Sequence, residues 1–405
     1  MADGSRKPGS GAQKALSRLF LLILTLFLCS CLNERVAWEP AFYRNMRTAG
    51  QAINSIVLLL SCMYVLAYLV LRFGKWLPVI PLCILSGFVL PLFQHILFED
   101  YRFIMTAVLA LMACRKDYRQ ILMVYLILYA VFLMIGIAGC PLGLTYDVYK
   151  YEKYGTGHSL GLVHANTTAR FLFQILSLTW YLYLRRRPAL TFALFWLACL
   201  PVLYIFQCRT VLLLMAAFPF LALAAERASG LGKLSDTSAG RLFMQIGMLT
   251  ACAAPFCFFA LTVLLSYLPE WLQRTKGHLF YNLAGRFVQA GLAIRHYGLH
   301  LFGQEIDTSG KISQFILGRE ERLHVIDNAY AAYALQMGML FMAATLGWLS
   351  AANARCLKNR DLRLLLLALL MLVYALTERG GLMIEYNYLF LYPLAIGCES
   401  VIGKN

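Results

Sequence analysis

Residues 120–141 read QILMVYLILYAVFLMIGIAGCP, with no charged side chain, and are entered from Arg115, Lys116 and Arg119. A helix needs ~20 mostly apolar residues to span a bilayer, so this stretch reads as one crossing with its cationic edge in the cytoplasm. Further apolar runs lie outward from it at 15–32, 53–71, 77–97, 101–114, 168–184, 189–206, 210–225, 242–268, 329–352, 364–377 and 381–402. The chain is therefore predicted to be all-α and polytopic, with about twelve transmembrane helices, the one at 101–114 being short. With the N-terminus inside and sides alternating, the cytoplasmic connections receive 20 of the 36 Lys and Arg. Of the other 16, seven fall in one long loop, 269–328. Short connections thus divide 20 to 9. Cytoplasmic enrichment is the expected bias for short loops, and long loops are exempt from it. Both termini are predicted to be cytoplasmic, and the long loop extracytoplasmic.

Composition agrees. Sixty per cent hydrophobic residues and a mean hydropathy of +0.66 exclude an ordinary soluble domain. The net charge of +16 is read as a set of anchors facing anionic headgroups, not as a nucleic-acid surface. Twelve Cys are scattered, and Cys29-x-Cys31 has no matching pair, so neither a zinc site nor a disulfide framework is read. The run Phe20–Leu32 also has the form of a signal peptide; its loss would leave the other spans unchanged. Four regions follow: a Gly/Ser/Lys-rich N-terminus, 1–14, predicted to be disordered; nine spans, 15–268; the long loop, 269–328; and three spans, 329–405.

The long loop carries an amphipathic helix. From Leu279 to Phe302 the apolar positions Phe280, Leu283, Phe287, Leu292, Ile294, Leu301 and Phe302 fall mostly on one arc. Arg286, Gln289, His296 and His300 fall on the other. Such a helix lies in the interface plane or across the outer mouth of the bundle. Arg295 falls away from the polar arc and reads as a snorkelling headgroup contact.

Three groups of residues carry candidate chemistry. Arg209 sits between two spans with almost no loop, where an unpaired charge is costly. Its fork suits a phosphate or diphosphate, as does that of Arg286. Arg379 beside Glu378 reads as a substrate contact or an ion pair. His324-Val325-Ile326-Asp327-Asn328 precedes a span. Asp327 or His324 would serve as general base, with Asn328 as a contact, while capping of the following helix competes for the same residues. His164 and Asn166 lead into span six as further contacts, and all seven His lie on or near the outer side. The spans hold few acids, Glu385 being the clearest. No phosphate loop or metal-binding spacing occurs, and no cofactor is read.

At these residues the chain resembles the Wzy/WaaL-like superfamily of O-antigen and exopolysaccharide polymerases and O-antigen ligases. Cys208-Arg209-Thr210 looks like that family's Ser-Arg element at the head of a span. Gly285-Arg286 looks like its Arg-bearing loop helix, and His164-Ala165-Asn166 like its Asn-containing entry to a middle span. Asp327-Asn328, nine residues and Gly338 look like the ligase pattern, except that Asp stands where a ligase has His; this favours a polymerase. The resemblance implies a bacterial inner-membrane glycosyltransferase acting without metal on an undecaprenyl-diphosphate-linked oligosaccharide. A chain-length regulator and a flippase of the same pathway are the implied partners, beside membrane lipids, with no nucleic acid. The rivals are an O-antigen-type ligase, a lipid-linked oligosaccharide flippase or other transporter, and a scaffold without chemistry. Polar groups collected on one side favour the enzyme.

Overall fold

A computed structural model describes residues 10–72, 102–114, 116–152, 155–184, 187–230, 238–268, 281–316 and 319–395. The expected span 77–97 and residues 231–237 of the loop expected to be cytoplasmic lie outside these. The chain divides into two compact units: residues 1–83, 108–224 and 394–405, and residues 84–107 with 225–393. Among the described residues, five helical stretches are long and apolar enough to cross a membrane: Lys14–Asn33, Tyr118–Gly139, Pro188–Phe206, Arg209–Ala228 and Gln245–Ser266. Their outer faces leave large apolar side chains exposed, among them Met134, Leu197, Leu213, Phe220, Leu249 and Leu264. Water penalises such surfaces, whereas lipid accommodates them. The protein is mostly helical, with the apolar helices of a membrane protein.

In the first unit, α1 (Ser10–Asn33) packs on α2 (Pro40–Arg72) and on α4 (Tyr118–Gly139). Residues 10–14, expected to be disordered, form the first turn of α1. The short helix α3 (Arg102–Met112) fills most of the expected span 101–114. Asp117 caps α4 by accepting from the Arg119 N–H. At its far end α4 carries Gly136 and Gly139, against which Thr145 and the 160–162 turn pack. A Cβ at Gly161 would sit 2.2 Å from the Gly136 carbonyl oxygen, so only glycine admits this approach. The 33–39 connection joins the same end, with the Ala37 N–H donating to Gly161 O and the Tyr146 N–H to Ala37 O, each at 2.9 Å.

A short antiparallel hairpin not foreseen in the sequence, β1 (Tyr149–Glu152) with β2 (Gly155–His158), stands at that end. After it come α5 (Ala165–Thr179), α6 (Pro188–Pro201) and α7 (Arg209–Gly230). Between α6 and α7 the chain runs through a wide π turn, 202–206, to Gln207, whose φ of 52° is left-handed. Trp180, Phe173, Phe195 and Phe218 form the aromatic core of α5, α6 and α7, with Phe195 and Phe218 stacked at 4.3 Å.

In the second unit, α8 (Ser238–Ser266) packs on α9 (Tyr281–Tyr297) and on α11 (Met339–Lys358). The amphipathic helix expected over 279–302 is therefore present as α9. Its apolar face, with Phe287, Leu292 and Ile294, is buried inside the protein. It stops before His300, Leu301 and Phe302, because Gly298 turns left-handed at φ 73°. A second hairpin follows, β3 (Ser313–Ile316) with β4 (Arg319–Arg322).

Two expected spans differ in form. The run 329–352 is not one helix: α10 (Ala329–Gln336) ends and α11 begins after Gly338, at φ 86° and ψ 163°. The 300–303 segment crosses this break. The Met339 N–H donates to His300 O at 2.9 Å and the Leu340 N–H to Leu301 O at 3.2 Å, which satisfies the first amides of α11. The run 381–402 is not an α-helix over its described part. After α12 (Leu362–Ala375), residues 379–382 and 388–391 form single 3-10 turns joined by irregular chain. This segment passes down the side of α11: Trp348 donates to Phe390 O at 2.8 Å and Asn359 to the Tyr392 hydroxyl at 3.0 Å. Almost all of it is buried. Irregular backbone at membrane depth persists only where protein surrounds it.

Candidate functional site

The polar residues named from the sequence divide between the two units. In the second unit, Arg286 lies on the first half of α9, and Asp327 and Glu378 immediately precede and follow the buried bundle of α10 and α12. Its Nη2 donates to Glu378 Oε1 at 2.7 Å, its Nη1 donates to Thr377 O, and its Nε stands 3.6 Å from Asp327 Oδ2. The side chains of Arg286 and Glu378 are 15% and 14% exposed, and that of Asp327 is 35% exposed. Burial acts against the Arg286 charge, but Glu378 and then Asp327 outweigh it, and its pKa is held above the ordinary value. All three edges of the guanidinium thus face protein partners. The fork assigned above to a diphosphate instead holds two carboxylates in place.

The competition between capping and catalysis at 327–328 falls to the neighbour. Asn328, not Asp327, is the N-cap of α10, its Oδ1 accepting from the Ala331 N–H at 3.0 Å. Its Nδ2 donates to Leu376 O and Thr262 Oγ1, and the residue is wholly buried. Asn328 thus caps α10 and joins it to α8 and to the chain after α12. Arg379 turns away from Glu378 and donates to Gln336 Oε1 at 2.7 Å, at the C-terminus of α10. The expected Glu378–Arg379 pairing is thus replaced by Glu378–Arg286 and Arg379–Gln336.

His324 is exposed. Its ring lies against Gly310, where a Cβ would meet Cε1 at 2.5 Å, and its N–H donates to Gln289 Oε1. His296, in the last turn of α9, stands edge-on to Tyr297. It is ten residues from Arg286, about 15 Å along the axis, so the two do not share a cluster. Arg295 does not reach outward as a snorkelling contact does; it is half-buried and donates to Ser266 O.

In the first unit, Arg209 opens α7 and lines a cavity of ≈340 Å³ with Val202, Leu203, Tyr204, Gln207, Cys208 and Leu212. His164 caps α5, its Nδ1 accepting from the Asn166 N–H at 3.1 Å. Both are thus placed at the helix mouth, His164 with one ring nitrogen already engaged.

Sequence reasoning missed three features. Arg170 is buried on α5, with buried Gln174 and Ser177 beyond it; the Asn166, Arg170, Gln174 spacing of four residues was the available signal. Arg102 lies 4.0 Å from Glu385, which is 1% exposed. Asp147 and His158 form a pair at 2.5 Å at the base of the β1–β2 hairpin. Burial raises the Asp147 carboxyl, but His158 and the Leu160 and Ser159 amides lower it further, leaving it below the usual carboxylate range.

Comparison of the chain with family models, curated proteins and solved structures finds no match. The fold and these two polar clusters are what define the protein's class: a helical membrane protein with polar groups gathered at helix ends.

Proposed function

We propose that this protein is a polysaccharide repeat-unit polymerase of a bacterial cytoplasmic membrane, with both termini in the cytoplasm. It would transfer an undecaprenyl-diphosphate-linked oligosaccharide onto another lipid-linked glycan at the outer face, without metal or cofactor. Its implied partners are the flippase and chain-length regulator of the same pathway. The observation that carries this reading is one-sidedness. The connections assigned to the outer face by charge alternation meet at one end of each unit. In the first unit these are 33–39, 140–164 and 206–209, and they bring Asp147, His158, His164 and Arg209. In the second they bring Arg286, Asp327, Glu378, Arg379 and His324. At the other end of the second unit Arg363 grips Glu226 through two bonds of 2.7 and 2.6 Å, while Arg355, Lys358 and Arg360 line a cavity of ≈810 Å³.

Arg209 is the group best placed to hold a lipid diphosphate, because it borders open space. A guanidinium there stabilises the charge that grows on the leaving diphosphate. Arg286 serves by fixing Asp327 and Glu378. The test uses purified full-length protein in nanodiscs and the lipid-linked repeat unit extracted from a strain lacking this gene. A product ladder is expected; its absence overturns the reading.

One observation favours a second reading, a flippase or other transporter. Buried Glu385 lies 4.0 Å from partly exposed Arg102 beside irregular backbone, and intramembrane carboxylates with a cationic partner mark transport paths in many membrane proteins. Flipping of a fluorescent lipid-linked oligosaccharide without chain growth would establish that reading instead. An O-antigen-type ligase would use the same donor and differ only in its acceptor.

A further inference from the structure

The reaction proposed above needs a group that accepts a proton from the attacking sugar hydroxyl, and the two residues read from sequence suit it poorly. Asp327 Oδ2 faces the Arg286 guanidinium at 3.6 Å and is engaged there. His324 packs its ring on Gly310.

The β1–β2 hairpin offers another group. Asp147 uses its two oxygens for separate tasks. Oδ1 accepts from the Ser159 and Leu160 amides, both at 2.8 Å, and from the Ser159 hydroxyl at 3.3 Å. The carboxylate is thereby fixed to the backbone. The Leu160 amide it holds belongs to a residue at φ 49°, a conformation costly for a branched side chain. Oδ2 is left to face His158 Nδ1 at 2.5 Å. With Nδ1–H donating to Asp147, the neutral ring presents Nε2 as an acceptor. The His158 side chain is 40% exposed, so that nitrogen is open to a substrate. Directly across the hairpin, in register, stands Tyr149, edge-on to the imidazole at 5.7 Å and itself exposed. An exposed aromatic ring beside an oriented histidine is the chemistry that receives a sugar, one ring stacking on the apolar face and the other meeting a hydroxyl. The hairpin also adjoins the Arg209 cavity. Gly157 lies so close to the 202–206 turn that a Cβ would sit 3.0 Å from Phe206 O.

We infer that the β1–β2 hairpin is the acceptor-sugar subsite and that His158, positioned by Asp147, is the general base of the transfer. This rests on the polymerase reading. Nε2 takes the proton of the acceptor hydroxyl. The hydroxyl oxygen forms a bond to the anomeric carbon of the donor. The bond from that carbon to the diphosphate breaks, and the diphosphate keeps the electron pair beside Arg209. The proton then passes from His158 to water.

The experiment compares wild type with His158→Ala, His158→Gln and Asp147→Asn, using full-length protein in nanodiscs and the lipid-linked repeat unit described above. Gln retains a donor for Asp147 but has no basic nitrogen. Both His158 variants are expected to lose ~10²–10⁴-fold in kcat with a smaller change in KM, and added imidazole is expected to restore part of the His158→Ala activity. Asp147→Asn is expected to lower kcat while His158 remains. Wild-type turnover in either His158 variant overturns the assignment, and so does a loss that imidazole does not relieve. A wild-type protein that elongates nothing overturns the polymerase reading itself, so the two failures are distinct.

Discussion

Arg286 and Glu378 lie 92 residues apart in sequence and 2.7 Å apart in space, and this contact ties the loop helix α9 to the end of α12. The same guanidinium stands 3.6 Å from Asp327. Removing the arginine takes away the cation that bridges the two carboxylates, of which Glu378 is 14% exposed.

Arg286→Ala is therefore expected to lower stability by about 3–5 kcal/mol, the usual consequence of breaking one side of a buried pair. Thermal unfolding in detergent measures this. Glu378→Gln keeps a hydrogen-bond acceptor and is expected to cost less. An Arg286→Ala protein as stable as wild type but inactive would return Arg286 to the substrate.

Arg209 has the opposite expectation. Arg209→Ala is expected to abolish chain growth at a matched level in the membrane, with Lys rescuing poorly because it lacks the planar fork. Full-length polymer at matched expression would refute the diphosphate role.

Asp147 gives a pH dependence with a definite sign. Its folded pKa is depressed, so its stabilisation is complete above the unfolded carboxylate value of about 3.9 and is lost as pH falls through the folded value. The difference in thermal midpoint between wild type and Asp147→Asn is expected to be constant above about pH 5 and to shrink on acidification below about pH 4. A difference that grows on acidification would contradict the assignment.

Topology is tested directly. In a Cys-free background, single cysteines at 305–315 are expected to label from outside, and those at 230–238 only after permeabilisation. Labelling of 305–315 from inside alone overturns the orientation.

The long apolar runs were legible in the sequence because length and absence of charge suffice to define a crossing, as at Tyr118–Gly139. The break at Gly338 was not, because a hydropathy average does not register a left-handed backbone or the 300–303 chain that demands it. Residues 381–402 read as a span for the same reason: Leu, Tyr and Phe raise the average, while in the described part Gly380-Gly381 and Asn387 withhold the helix. In the candidate site, Arg209 was visible as a cation between two expected spans and Arg286 as a cation on the polar arc of the loop helix. The partners of Arg286 were not, since tertiary packing chose Glu378 over the adjacent Arg379 as the bonded neighbour. The Asp147–His158 pair was hidden because the hairpin, and not sequence spacing, brings its members together.

The irregular course of 379–392 has a consequence for biogenesis. A helix can leave the translocon alone, because its backbone satisfies itself. This segment cannot, because its amides are met only by short local turns and the carbonyls of Phe390 and Pro393 depend on Trp348 and Arg355 of α11. It must therefore take its place after α10, α11 and α12 have assembled, as the last act of maturation. Chains cut shortly after α12 are expected to insert but to expose the cleft that this segment fills, and to be recognised by membrane quality control.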